Sequence, residues 1–157
     1  MKNINVQLCN FDDPRDVKQV KILMNTYMAD AMGSVEPLNE VQQEQLILGL
    51  KTTPGTITLL AKVEDDYIGL LNAFVHFATF TVRKMINVHD VIVKPEFRGY
   101  GVGKALMNGI IDKAKEMGCS KLTLEVRNDN VVAQNLYKKL GFEEGAPPML
   151  FWTKKLI

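Results

Sequence analysis

Cysteine is scarce in this chain, with only Cys9 and Cys119. Two thiols cannot make a disulfide framework, and these lack the clustered spacing of a zinc site. Both are expected as small buried apolar residues. An excess of one charge is also missing: 19 Lys and Arg stand against 18 Asp and Glu, a formal net charge of +1. That balance gives no electrostatic case for nucleic acid or an acidic membrane, although a local anion site can sit inside it. No long apolar run follows the lysine of Met1-Lys2-Asn3-Ile4 or occurs later. Neither a signal peptide nor a spanning helix is therefore expected, which points to the cytoplasm and away from membranes. Internal repeats, low-complexity tracts and long linkers are absent. What is present is 157 residues, 46% hydrophobic and 24% charged, the profile of one soluble globular domain spanning 1–157.

A first strand is expected over Ile4 to Leu8. Asp13 and Pro14 suit the N-cap and first position of a helix. Val17, Val20, Leu23, Met24, Tyr27, Met28 and Ala31 then recur at helical spacing, with Gly33 expected to end the helix. A second helix is expected from about Asn39 to Leu50, stopped by Gly49, Pro54 and Gly55. Thr56 to Val63, Tyr67 to Phe77 and Met85 to Val93 read as strands joined by short connections, an antiparallel meander. Next come a helix over Gly101 to Met117 with Gly118 as C-cap, a strand over Leu122 to Val126, a helix over Val131 to Leu140 stopped by Gly141, and a last strand over Met149 to Lys155. This order implies a mixed α/β (α+β) domain with one central sheet.

The chemistry is concentrated where the third strand of the meander runs into Lys94-Pro95-Glu96-Phe97-Arg98-Gly99-Tyr100-Gly101-Val102-Gly103-Lys104. A glycine-rich turn opening a helix offers unpaired N–H groups and the positive end of the helix dipole to a phosphate. Glycines let the backbone approach such a ligand closely, and Arg98 and Lys104 add positive charge at the two ends. A nucleotide P-loop would need Gly at position 98 and Ser or Thr at 105, where this chain has Arg and Ala. A dinucleotide fingerprint would need Gly at 104 or 106, where it has Lys and Leu.

The stretch resembles the acetyl-CoA signature of the GNAT superfamily of N-acetyltransferases, Gln/Arg-x-x-Gly-x-Gly/Ala, filled by Arg98, Gly101 and Gly103. Leu124-Glu125-Val126, Asn130, Ala133, Leu136-Tyr137 and Gly141-Phe142 are similar to the family's following strand–helix segment. The resemblance covers about Met85 to Phe142. It implies a mainly antiparallel sheet in which the strand Met85–Val93 splays from Leu122–Val126, with the cofactor, acetyl-CoA or coenzyme A, in the opening. It implies further that the pyrophosphate is held by Arg98, Gly99, Tyr100, Gly101, Val102, Gly103 and Lys104. The pantetheine arm is then expected on the backbone of Val91, Ile92 and Val93, one of whose N–H groups would polarise the thioester carbonyl.

The resemblance also assigns roles. Asn130 matches a pantetheine-binding position, and an N-cap of the next helix is an equally good reading, compatible with the first. Tyr137 matches the acid that protonates the departing thiolate. Its alternative is packing beside Leu136 and Leu140, and the Asn130-to-Tyr137 spacing favours the acid. His89 and Asp90 precede the cofactor strand's end. His89 stands where polyamine acetyltransferases carry a carboxylate and could act as base; a strand histidine without a role remains equally open. The implied reaction is direct attack of a primary amine on acetyl-CoA in a ternary complex, the acceptor being a small amine or a protein N-terminus. Tyr27, Asp30, Glu36, Phe74 and Phe77 are candidate lining residues of its pocket. The competing readings are an acyl-CoA-binding module with weak or no catalysis, and a phosphate binder of another class. No metal site is expected, and the apolar Met149–Trp152 run fits either a homodimer contact or a core strand.

Overall fold

The structure, a computed structural model, describes residues 3–31, 33 and 35–157. Its elements are β1 (Asn5–Leu8), α1 (Pro14–Met28), α2 (Glu40–Thr52), β2 (Thr56–Val63), β3 (Asp66–Ala78), β4 (Arg83–Val93), a 3-10 turn (Pro95–Phe97), α3 (Val102–Glu116), β5 (Leu122–Leu124) and α4 (Val131–Lys139). By its internal contacts the chain forms two compact units, one up to Glu125 and one from Val126 to Ile157.

The first unit holds a five-stranded sheet in the order β1-β2-β3-β4-β5. The first three pairings are antiparallel and β4–β5 is parallel. The expected meander is therefore present as β2, β3 and β4. One sheet face packs on α1 and α2, where Val20, Leu23, Met24, Ile47 and Leu50 join Leu60, Leu70 and Ile92 in a core. The other face carries α3. Gly69 and Gly109 allow this close approach, because a Cβ on Gly69 would meet Val102 and Leu106, and one on Gly109 would meet Val6 and Leu59.

Local chemistry explains the helix starts. Asp13 caps α1 by accepting from Arg15 N, with Pro14 at the first position. Asn39 and Gln42 form a reciprocal capping box at α2. Helix α1 stops at Met28, short of Gly33, because the Met28 carbonyl accepts from Val35 N at 3.1 Å as the chain turns back. Asp16 is 2% exposed. It accepts from Tyr67 Oη and Asn10 N, tying the β1–α1 turn to β3.

Three further expectations need correction. Strand β5 ends at Leu124 instead of Val126. Met149 to Lys155 is irregular instead of a strand, with Met149 and Trp152 both more than 80% exposed. The residue types are strand-prone, but a strand exists only through a ladder partner, and none pairs with this run among the described residues. Cys9 and Cys119 are free, as expected, but half-buried instead of fully buried.

Candidate functional site

A one-residue bulge organises the site. Across β3 and β4, Ala73 pairs with Val88 and Asn72 with Asp90, so His89 is the extra residue. Hydrogen-bonding direction alternates along an antiparallel strand, and an extra residue reverses the alternation beyond it. Before the bulge, Ile86 N donates toward the β5 side, to Lys121 O at 3.2 Å. After it, Lys94 N donates the opposite way, to Ile68 O at 3.0 Å. Asp90 and Ile92 share the parity of Lys94 and aim their backbone groups at β3, whereas Val91 and Val93 aim theirs at the opposite edge.

At that edge β5 has already ended. The parallel ladder covers only Ile86 to Val88, while β4 continues to Val93. This is the splayed pair that the sequence implied. The expected trio Val91, Ile92 and Val93 divides within it. Val91 and Val93 face the opening, whereas the Ile92 backbone is turned to Leu70 and its side chain lies in the core at 2% exposure. A shallow recess lined by Asn87, Val88, His89 and Glu125 marks where the strands part.

The bulge also puts two consecutive side chains on one sheet face. The His89 ring meets Phe74 edge-on with centroids 4.9 Å apart. Asp90 Oδ2 accepts from Asn72 Nδ2 at 3.0 Å. Phe74 and Asn72 are two residues apart on β3 and so share a face, the α1–α2 face on which Phe74 and Tyr27 border the core. A groove between α1 and α2, lined by Lys21, Glu40, Val41, Gln43 and Glu44, has no glycine-loop residue in its wall.

The glycine loop follows β4 through the 3-10 turn. Gly99 and Gly101 have φ of +82° and +86°, the left-handed region that L-residues avoid. Gly101 is the N-cap of α3, no side chain caps the helix, and no acidic residue occupies its first turn. The backbone N–H groups of Val102, Gly103 and Lys104 therefore form an uncapped helix start. A Cβ on Gly99 or Gly101 would meet nothing within 4 Å, so the space in front of this start is open. The Val102 side chain is 2% exposed and pins the first turn to the sheet, while Tyr100 is 69% exposed beside it. Arg98 is held on both sides: its guanidinium pairs with Asp30 at 2.7 Å and its Nε donates to Val93 O at 3.2 Å.

In the second unit Asn130 is the N-cap of α4, its side chain accepting from Ala133 N at 3.2 Å. The turn before it is braced by the Arg127–Asp129 ion pair at 2.7 Å. That guanidinium hydrogen bond holds the Asp129 carboxyl below its ordinary range. The Tyr137 ring lies against Phe142 at 5.9 Å, so it packs within its own unit beside Phe142.

Asn72 and Thr58 escaped the sequence reading, as did Asp30 as the partner of Arg98. A lone Asn inside the apolar run Leu70-Leu71-Asn72-Ala73-Phe74 was the available signal. Among the described residues no group of His, Cys, Asp and Glu is placed to hold a metal, and no helix is long and apolar enough to cross a membrane.

With this geometry in place, the chain can be set beside known proteins. It is 44% identical over 62 residues to an uncharacterized N-acetyltransferase of Methanocaldococcus jannaschii, covering 40% of this chain and 27% of that protein. It is 34% identical over 71 residues to the [ribosomal protein bS18]-alanine N-acetyltransferase of Escherichia coli K12, covering 43% and 48%. In each case the match spans less than half of the relative's length. The fold superposes on AAC(6')-Iy, solved with the bisubstrate analogue CoA-S-monomethyl-acetylneamine, with a TM-score of 0.78 over 98% of this chain and 99% of that one, at 16% identity. The family model for the acetyltransferase (GNAT) family matches residues 21–142, and the chain belongs to that family.

Proposed function

We propose that this chain is an acetyl-CoA-dependent N-acetyltransferase that acetylates a primary amine by direct attack within a ternary complex. The observation that carries the reading is the pairing of two features: an uncapped helix start behind two left-handed glycines, and a strand edge left open immediately before it. Bound there, acetyl-CoA supplies an acetyl group activated as a thioester. A Cβ added at Gly99 or Gly101 would meet no protein atom within 4 Å, which leaves room for a pyrophosphate in front of the helix start. The N–H groups of Val102, Gly103 and Lys104 would hold it, helped by the Lys104 charge. Val91 and Val93 offer backbone groups to the pantetheine arm and a donor to the thioester oxygen.

His89 takes the proton that an ammonium, with pKa about 10.4, must lose before its nitrogen can attack. Tyr137 returns a proton to the leaving sulfur, the role its position in the family motif supports. A phenol of pKa about 10 remains protonated at neutral pH and can donate. Asn130 keeps its capping role in this reading and contributes to the pantetheine site by the same motif. Neither cysteine is needed as a relay. Burial, with the charges of Asp16 and Asp13 behind it, pushes the Cys9 thiol up to about 12, which leaves little thiolate at neutral pH. Acceptors to try first are a peptide beginning with alanine, after the Escherichia coli relative, and neamine, the amine carried by the analogue bound to AAC(6')-Iy. Thiol release with saturating acetyl-CoA, matched by an acetylated product in the mass spectrum, is the expected result. Absence of thiol release across a panel of primary amines would refute the proposal.

A further inference from the structure

Asn72 interrupts an apolar strand at 1% exposure, and a buried amide is costly unless its hydrogen bonds are made. They are made in one row across three strands, since Thr58 pairs with Asn72 and Asn72 with Asp90. Thr58 Oγ1 donates to Asn72 Oδ1 at 2.8 Å. That bond fixes the amide's orientation and aims Nδ2 at Asp90 Oδ2, 3.0 Å away, and at Met24 Sδ, 3.5 Å away. Both Nδ2 hydrogens are then committed, so Asn72 has no donor left for a ligand. Asp90 differs. It is half-buried, and its Oδ1 makes no hydrogen bond among the described residues. The carboxylate stands beside His89 on the α1–α2 face. It is one residue, about 3.3 Å of strand, before Val91, whose backbone faces the opening.

We infer that Asp90 is the acceptor-side anchor for a cationic primary amine, and that Asn72, oriented by Thr58, is the positioning residue that aims it. The inference rests on the acetyl-transfer reading above. A half-buried carboxylate with one oxygen pinned and the other open selects a compact cation, because the pinned oxygen prevents the side chain from swinging to bulk water. An ammonium held there lies next to His89, which takes its proton. An uncharged amine gains nothing from Asp90.

The test compares benzylamine, cationic at neutral pH, with aniline, which is uncharged. Both are assayed by thiol release from saturating acetyl-CoA, alongside acetyl-CoA affinity by calorimetry. In Asp90→Asn, which keeps the shape and an oxygen for Asn72, the KM for benzylamine rises about tenfold or more, the scale of a hydrogen bond to a charged group. The aniline KM and the acetyl-CoA Kd stay unchanged. Thr58→Val moves the benzylamine KM the same way by a smaller factor, and Thr58→Ser, which keeps the hydroxyl, restores it. An unchanged benzylamine KM in Asp90→Asn overturns the inference. So does a wild-type protein that binds acetyl-CoA but turns over neither probe. A wild-type protein that does not bind acetyl-CoA overturns the acetyl-transfer reading instead.

Discussion

Replacing Gly101 by alanine separates what the loop does for the fold from what it does for a ligand. Gly101 has φ +86°, and an added Cβ there meets no atom within 4 Å. Packing therefore contributes nothing to the cost. The backbone does, since an L-residue held in the left-handed region costs about 1–2 kcal/mol. Restricting the unfolded chain returns about 0.4–1 kcal/mol, which leaves a net loss of about 1 kcal/mol and a fall in Tm of about 2–4 °C. Gly118, at the other end of α3, supplies the control: its φ is +66° and it too has open space around a built Cβ. Gly118→Ala is expected to lose a similar amount of stability by urea or thermal melting. The two variants should part company in acetyl-CoA titration. The new methyl of Gly101→Ala enters the space in front of the uncapped helix start, so affinity falls about tenfold or more, a change of about 1.4 kcal/mol. Gly118→Ala keeps the wild-type affinity. Equal acetyl-CoA affinities in the two variants would refute the assignment of the loop.

Further outcomes follow from other parts of the structure. Gly69→Ala puts a Cβ 2.8 Å from Ile92 O and 3.0 Å from Val102 Cγ1. Overpacking there costs about 1–3 kcal/mol, and because Val102 carries the first turn of α3, acetyl-CoA affinity should fall with it; a melting curve and a titration check both. Tyr137→Phe should lower kcat with little change in acetyl-CoA affinity, and an unchanged kcat in thiol-release assays would remove the phenol from the reaction. Alkaline stability tests the buried groups. The hydrogen bond to Asp16, with burial and the Asp16 charge added, raises the Tyr67 phenol from 10.0 to about 12. Burial raises the Cys9 thiol from 9.0 to about 12. Between the ordinary and raised values the folded state holds protons that the unfolded state has lost, so stability falls as pH climbs through that window. Urea melts from pH 8 upward should show the decline, shallower in Tyr67→Phe and in Cys9→Ala.

Much of this architecture could be read directly because local signals and long-range packing agree. Asp13-Pro14 and Asn39 start helices where capping chemistry places them, and the apolar spacing of Val20, Leu23 and Met24 marks the face that α1 buries. β2 matched its expected limits, since Pro54-Gly55 precedes it and the polar turn at Glu64-Asp65 follows it. The glycine loop was legible because an uncapped, glycine-rich helix start is written in consecutive residues. The bulge was not. Register is a relation between strands, and nothing in the sequence around His89 shows that it lacks a partner on β3. Strict strand alternation puts neighbouring residues on opposite faces, so without the bulge nothing separates Ile92 from Val91 and Val93 as a backbone donor or brings Asp90 to the face of His89. The Thr58–Asn72–Asp90 row was hidden for the same reason, since its members lie far apart in the chain and meet only through two registers. The Met149–Lys155 run failed in the opposite way: its composition suits a strand, but composition supplies no ladder partner.

Binding of acetyl-CoA at the helix start behind Gly99 and Gly101 is checked first by thermal melting. The protein is melted alone, with acetyl-CoA, and with ATP or NAD as controls. A ligand at a hundred times its Kd adds about 2.7 kcal/mol of stability, about 5–11 °C for a chain of this size. A rise in Tm with acetyl-CoA and none with ATP or NAD is the predicted result. No rise with acetyl-CoA, or a rise with a nucleotide in its place, would show that this helix start is not an acetyl-CoA site.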